Sequence, residues 1–278
     1  MMKTVHTAQN RPISWHEWGA PQGRPVIICP GAGMAGALPF GEDHARQSDL
    51  RMISVDRAGL GTSAPDTAKS FASWCDDIRT ILAHIGAETA DVIGFSQGAP
   101  FALALGASNL ARTVSVVSGQ DELRHPAIFS LLPEPVAAMV QRAQSDPEKL
   151  EAEMAEFATA DWLWHMIETM SGEQDRLIYA SENFAPAYRA ALNAGFQQGA
   201  AGYARDTILA MAPWPFKLED ITCPVYLWYG LKDTSPVHSP DFGVSLSKRI
   251  KNAQLHHFED DGSAILWTKT NEILSKLV

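Results

Sequence analysis

The sequence predicts an α/β protein with a mostly parallel, eight-stranded-type sheet, helices on both faces and an inserted helical lid. Three observations carry this expectation. Short apolar runs alternate with helix-forming stretches through the first 120 residues, as strand, crossover and strand require. Strand signals then vanish from Asp121 to about Met211 and return at Val225. A serine also sits between two glycines, Gly94-Phe95-Ser96-Gln97-Gly98, where an apolar run meets a helix-forming one.

In chain order, Ile13 to Trp18 reads as an edge strand, and Val26 to Cys29 and Met52 to Val55 as buried ones. Ser73 to His84 has helical periodicity. Val92 to Phe95 forms the strand before the serine, Ala99 to Ala107 the helix after it, and Thr113 to Val117 the next strand. Pro100 falls in the first helical turn, where a missing N–H costs little. Helical stretches separated by Pro133, Pro135, Pro147, Gly172, Pro186, Gly195 and Gly202 follow. Val225 to Tyr229 and Leu255 to Phe258 restore the strand pattern, with a helix expected over Val237 to Ile250. The expected organisation is a core of residues 1–120 and 213–278 interrupted by a helical lid over 121–212.

Composition narrows the function classes. At 278 residues and 46% hydrophobic, the chain has ample material for one core without a second independent domain. A net charge of −10 and the lack of a basic cluster disfavour a nucleic-acid surface. Lys248, Arg249 and Lys251 read as decoration of a solvated helix end. Cys29, Cys75 and Cys223 are odd in number and far apart, which indicates neither a disulfide framework nor a metal cluster. Met1 to His6 lacks the apolar stretch of a signal peptide and no apolar run approaches ~18 residues, so a cytoplasmic location without a membrane is expected.

A serine at a tight strand-to-helix turn projects its hydroxyl into the cleft, and the helix N-terminus behind it favours developing negative charge. Gly94 to Gly98 thus resembles the nucleophile elbow of the α/β-hydrolase fold superfamily, of the helical-cap hydrolase and esterase type. Asp56-Arg57-Ala58-Gly59-Leu60-Gly61-Thr62-Ser63 is similar to the turn after an early strand in that family. Pro30-Gly31-Ala32-Gly33 stands where it has a His-Gly oxyanion loop, with Pro30 in place of histidine. Trp228 to Asp233 resembles its acid loop.

The resemblance implies Ser96 as nucleophile, the Ala32 and Gln97 amides as oxyanion donors and Asp233 as the carboxylate that orients an imidazole. Asp233 also suits a helix cap, and Asp121 is a second candidate acid because some members of the fold place it there. The family's histidine position, however, is Ser263, in Gly262-Ser263-Ala264-Ile265-Leu266. A hydroxyl is no base near neutral pH, so the base is expected to be relocated or absent.

His238, five residues after Asp233 at the same sheet edge, is the best substitute. His165 lies in the aromatic lid stretch with Trp162 and Trp164, which are candidates for the pocket or for lid packing. His256 and His257 point to opposite faces of the last strand and read as structural, as do His6, His16, His44, His84 and His125.

The aromatic and Met-rich lid suits a small hydrophobic substrate, such as an ester or lactone. No cofactor is expected, since neither a phosphate-cradling loop nor metal-ligand spacing is present. A homodimer is left open by the sequence. The alternatives to a serine hydrolase are a non-hydrolytic member that binds, cleaves by elimination or cyclises a small molecule, and a form inactivated by histidine-to-serine replacement.

Overall fold

The structure, a computed structural model, describes residues 1–277; Val278, the end of the expected second core segment, lies outside the described residues. Among the described residues, eight strands form an open sheet: β1 (Met2–His6), β2 (Pro12–Gly19), β3 (Arg24–Cys29), β4 (Leu50–Val55), β5 (Ala90–Phe95), β6 (Ala111–Val117), β7 (Val225–Gly230) and β8 (Ala253–Phe258). Their order is β1-β2-β4-β3-β5-β6-β7-β8. The β1/β2 and β2/β4 pairs are antiparallel, and the other five are parallel.

The expected edge strand at Ile13–Trp18 is therefore internal. It pairs with β4 on one side and with β1 on the other, for example Trp15 with Val55 and with Lys3. β1 escaped the sequence reading because only one side chain in two is even partly covered, which leaves no apolar run to notice.

Buried parallel strands must be apolar on both faces, and β5 (Ala-Asp-Val-Ile-Gly-Phe) is buried at every position. Alternation divides it: Val92 packs with Ile27, Trp74 and Phe101 on one face, whereas Ile93 and Phe95 pack with Val26, Ile28 and Ile265 on the other. The first face is covered by α2 (Phe71–Ile85) and α3 (Gly98–Ala107). α2 begins with a reciprocal Ser70/Ser73 capping box and ends at Gly86 in the left-handed conformation, two signals that set its length. The second face is covered by α1 (Glu42–Gln47) and, after β8, by two short C-terminal helices.

Seven α-helices lie between β6 and β7: α4 (Pro126–Phe129), α5 (Glu134–Ser145), α6 (Pro147–Phe157), α7 (Ala160–Met170), α8 (Glu173–Tyr179), α9 (Ala185–Gly195) and α10 (Ala201–Met211). They bury Val140, Trp164, Tyr179, Tyr188 and Leu192 in a core of their own, which reaches Met34, Leu60 and Ala264 of the sheet layer. After β7 comes α11 (Val244–Arg249), then α12 (Ile265–Thr268) and α13 (Thr270–Ser275) after β8.

The helix expected over Val237–Ile250 is shortened to α11. Pro240 and the positive φ angles of Phe242 (53°) and Gly243 (82°) keep the preceding segment in turns. Arg249 is not solvated decoration either, since it pairs with Asp121 and, at 2.8 Å, with Glu122. Among the described residues no helix is long and apolar enough to cross a membrane.

Candidate active site

Ser96 follows β5 with φ 52°, a left-handed conformation that a non-glycine residue holds only when its surroundings enforce it. Its N–H donates to Val117 O at 3.1 Å, and its carbonyl accepts from Ala99 and Gln120 at 3.0 and 3.1 Å. The turn is thereby tied to the end of β6 and to the start of α3. Gly98 has no room for a side chain: a Cβ there would overlap the carbonyl oxygens of Cys29 and Pro30, so the 30–33 loop lies directly against the helix start.

The hydroxyl of Ser96 lies 2.8 Å from Nε2 of His238, and Nδ1 of His238 lies 2.6 Å from Oδ2 of Asp233. An ionised carboxylate only accepts, so Nδ1 carries the proton; Nε2 is then the acceptor and Ser96 Oγ the donor. His238 and Ser239 are buried, although the whole segment is a loop. The fixing contacts are explicit. Ser239 N donates to Gly119 O at 3.0 Å, Gly243 N donates to Ser239 Oγ at 3.0 Å, and Ser239 Oγ donates to Asp241 at 3.0 Å.

Asp233 acts at both of its oxygens: Oδ1 accepts from Ser235 N at 2.9 Å, the local turn-capping role, while Oδ2 takes the imidazole. Asp121 does not contact the imidazole. It accepts from Glu122 N at 2.6 Å and pairs with Arg249, and Ser239 Oγ reaches it at 3.3 Å. Burial pushes its carboxyl up to about 6, against the opposing pull of Arg249.

Gln97 follows this serine as the N-cap of α3, and Ala32 lies on the loop after β3, whose Pro30 carbonyl abuts Gly98 at the start of that helix. The β3 loop is held by Arg57, which donates to Pro30 O at 2.6 Å and Gly31 O at 3.0 Å. Arg57 is fully buried and pairs with Asp206 of α10 at 2.7 Å, and Lys69 reaches the other Asp206 oxygen at 2.5 Å. Burial draws the Lys69 ammonium below its ordinary pKa, and Asp206 opposes that effect. Sequence reasoning missed this cluster, although an aspartate among Tyr203, Thr207 and Ala210 on one buried helix was a signal that it needed a cation.

Of the remaining expected positions, Ser263 is bonded elsewhere, to Asp175 and Tyr179 of α8, through its hydroxyl at 2.9 and 3.0 Å. Trp164 packs into the core of the helical insertion against Tyr188, and Trp162 is half-buried against Phe157 and Tyr203. His165 is exposed on α7 and does not join the serine. His256 stacks on Trp228 at 4.2 Å, whereas His257 bonds Phe242 O at 2.9 Å on the opposite face. Cys29 is buried, with its thiol pushed up to about 12 by desolvation. Among the described residues no cluster of three or more His, Cys, Asp or Glu could hold a metal.

An open, largely parallel sheet with a strained serine at the end of β5, facing an imidazole and a carboxylate from the β7 loop, defines an α/β-hydrolase architecture. The family model for the alpha/beta hydrolase fold matches residues 24–270, and the chain belongs to that family. Similar solved structures include an esterase from Exiguobacterium antarcticum, with a TM-score of 0.73 at 17% identity over 100% of this chain and 98% of that one. An enol-lactonase from Burkholderia xenovorans has a TM-score of 0.70 at 13% identity over 99% and 97%. A curated relative, a probable proline iminopeptidase from Leptolyngbya boryana, is 26% identical over 108 residues, 38% of this chain and only 34% of that protein's length.

Proposed function

We propose that the protein is a serine hydrolase acting on a hydrophobic carboxylic ester or lactone, with Ser96 as nucleophile, His238 as base and Asp233 as its orienting carboxylate. The observation that carries this reading is the continuous 2.8 and 2.6 Å chain from Ser96 through His238 to Asp233. In the first half-reaction Ser96 Oγ attacks the carbonyl carbon while its proton passes to His238 Nε2. The charge on the carbonyl oxygen is taken by the N–H groups of Ala32 and Gln97, and the departing alkoxide collects the proton from the imidazole. Water then repeats the sequence on the acyl-enzyme, with His238 again accepting and returning one proton. No step needs a cofactor.

Apolar side chains packed beside the 30–34 loop support the substrate class. Phe196 and Leu163 of the helical insertion abut Gly33, beside Ala32, and Met34 lies in the same apolar cluster. The esterase and lactonase among the similar structures agree with this chemistry. The iminopeptidase match covers too little of that relative to extend the reading to peptides.

The test is hydrolysis of p-nitrophenyl esters of increasing chain length by the native chain, Ser96→Ala and His238→Ala, with phosphonate labelling of Ser96. Each substitution is expected to lower kcat on the order of 10⁴–10⁶-fold, with labelling lost in Ser96→Ala. Turnover that survives in both variants sinks the reading, and absence of ester turnover and of Ser96 labelling in the native chain would favour the non-hydrolytic alternative.

A further inference from the structure

We infer that Asp175, on α8 of the helical insertion, is a positioning residue for the Asp233–His238 pair; this rests on the reading of the site just given. Asp175 is 2% exposed, yet both its oxygens are engaged by the loop after β8. Oδ2 accepts from Ser263 N at 2.7 Å and from Ser263 Oγ at 2.9 Å, and Oδ1 accepts from Ala264 N at 2.9 Å. A carboxylate that takes two consecutive backbone N–H groups fixes the direction of the chain as well as its place. With the Ser263 hydroxyl committed to Asp175, Tyr179 donates its own hydroxyl to Ser263 at 3.0 Å and closes the latch.

The latched loop in turn backs the loop that bears the proposed base. Ser263 O accepts from Ser118 Oγ at 2.9 Å, Lys232 N donates to Asp261 O at 2.9 Å, and the backbone of Gly230 lies against Asp261 and Gly262 too closely for any side chain. The junction of α7 and α8 supports the same loop as well: Thr234 Oγ1 donates to the carbonyl of Met170, the last residue of α7, at 2.6 Å, and Gly172, the N-cap of α8, packs on Lys232 O. The 170–179 segment thus grips the 231–234 turn directly and, through Asp175, from beneath. Asp233 belongs to that turn, and its carboxylate sets the imidazole. The loop that carries the histidine in the family resemblance here serves as the support on which a base from another loop rests.

Replacing the carboxylate by an amide turns one acceptor into a donor that faces an N–H. A displacement of the proposed base by about 1 Å costs up to ~100-fold in rate without weakening substrate binding. The experiment is steady-state hydrolysis of p-nitrophenyl butyrate, the rate of Ser96 phosphonate labelling and thermal melts on the full chain, comparing native, Asp175→Asn, Ser263→Ala and His238→Ala. Expected for Asp175→Asn is a kcat about 10- to 100-fold lower with KM within about threefold of native, and labelling slowed in parallel. Ser263→Ala keeps both backbone N–H bonds to Asp175 and is expected to lose less, which keeps the idea testable if Asp175→Asn folds poorly. Should Asp175→Asn melt earlier yet keep native kcat per folded molecule while His238→Ala is dead, the positioning role is wrong and the site reading stands. Full activity in His238→Ala would overturn the site reading itself, and the role of Asp175 with it.

Discussion

At the scale of single residues, position 263 explains why the proposed base could not be read by resemblance. The serine there is enclosed by Asp175 and Tyr179, and the buried space around it is filled by the hydrogen bonds of a small hydroxyl. An imidazole in that place would have to displace Tyr179 or break the bonds to Asp175. Ser263→His is therefore expected to lower unfolding stability by about 1–3 kcal/mol and to leave ester turnover no higher than native, as read by urea denaturation and p-nitrophenyl ester assay. A gain in turnover would mean that the old position still has access to Ser96. Ser96 and Asp233 were legible as candidates because each sits in a short motif whose geometry is local. His238 was legible only as a residue near the right sheet edge. Its approach to both partners depends on Pro236, Pro240 and the left-handed Phe242-Gly243 turn folding the loop back, and on Ser239 pinning it to Gly119. Spacing of five residues encodes none of that.

At the scale of elements, the parallel strands and the helices flanking the serine were legible because period and burial agree: a strand covered on both faces has to be apolar throughout. The missing β1 and the shortened α11 fail the same rule, the first being polar at an edge and the second being overruled by loop conformation. How the helical insertion seats on the sheet layer was not legible, because it depends on backbone meeting backbone. Ala35 N donates to Ala191 O at 3.1 Å, and Gly195 lies so close to Gly33 O that a Cβ would overlap it. α9 and the 30–36 loop are therefore one packed unit, and the proposed oxyanion donor Ala32 is part of it. Gly195→Ala must push the two apart. It is expected to lower kcat more than about tenfold while costing about 1–3 kcal/mol in stability. Unchanged kcat with the stability loss alone would show that Ala32 N–H is not placed by this contact.

At the scale of the whole molecule, buried charge ties the layers together and makes stability depend on pH. Asp121 links the end of β6 to α11 through Arg249 and to the His238 loop through Ser239, so the pair spans three segments far apart in the chain. Burial holds its proton in the folded protein up to about pH 6, whereas the same carboxyl in the unfolded chain ionises near ~3.9. Between these values the native state binds more protons than the unfolded one. The contribution of Asp121 to stability is then fully present below ~3.9, declines as pH rises towards about 6 and is constant above it, the opposite sign to an ordinary salt-bridged carboxylate. Over that window the loss is on the order of 2–3 kcal/mol. Asp121→Asn cannot titrate, so subtracting its stability from that of the native chain cancels every other group that titrates alike in both. Its altered contact with Arg249 adds an offset at all pH values, since Glu122 still holds that guanidinium at 2.8 Å. Urea denaturation of both proteins from pH 4 to pH 7.5 is expected to show the native chain losing ground to the variant by about 2–3 kcal/mol up to pH 6 and no further change beyond. A difference that stays flat across the range would mean that Asp121 ionises in the folded protein as it does in the unfolded chain, with Arg249 offsetting its burial in full.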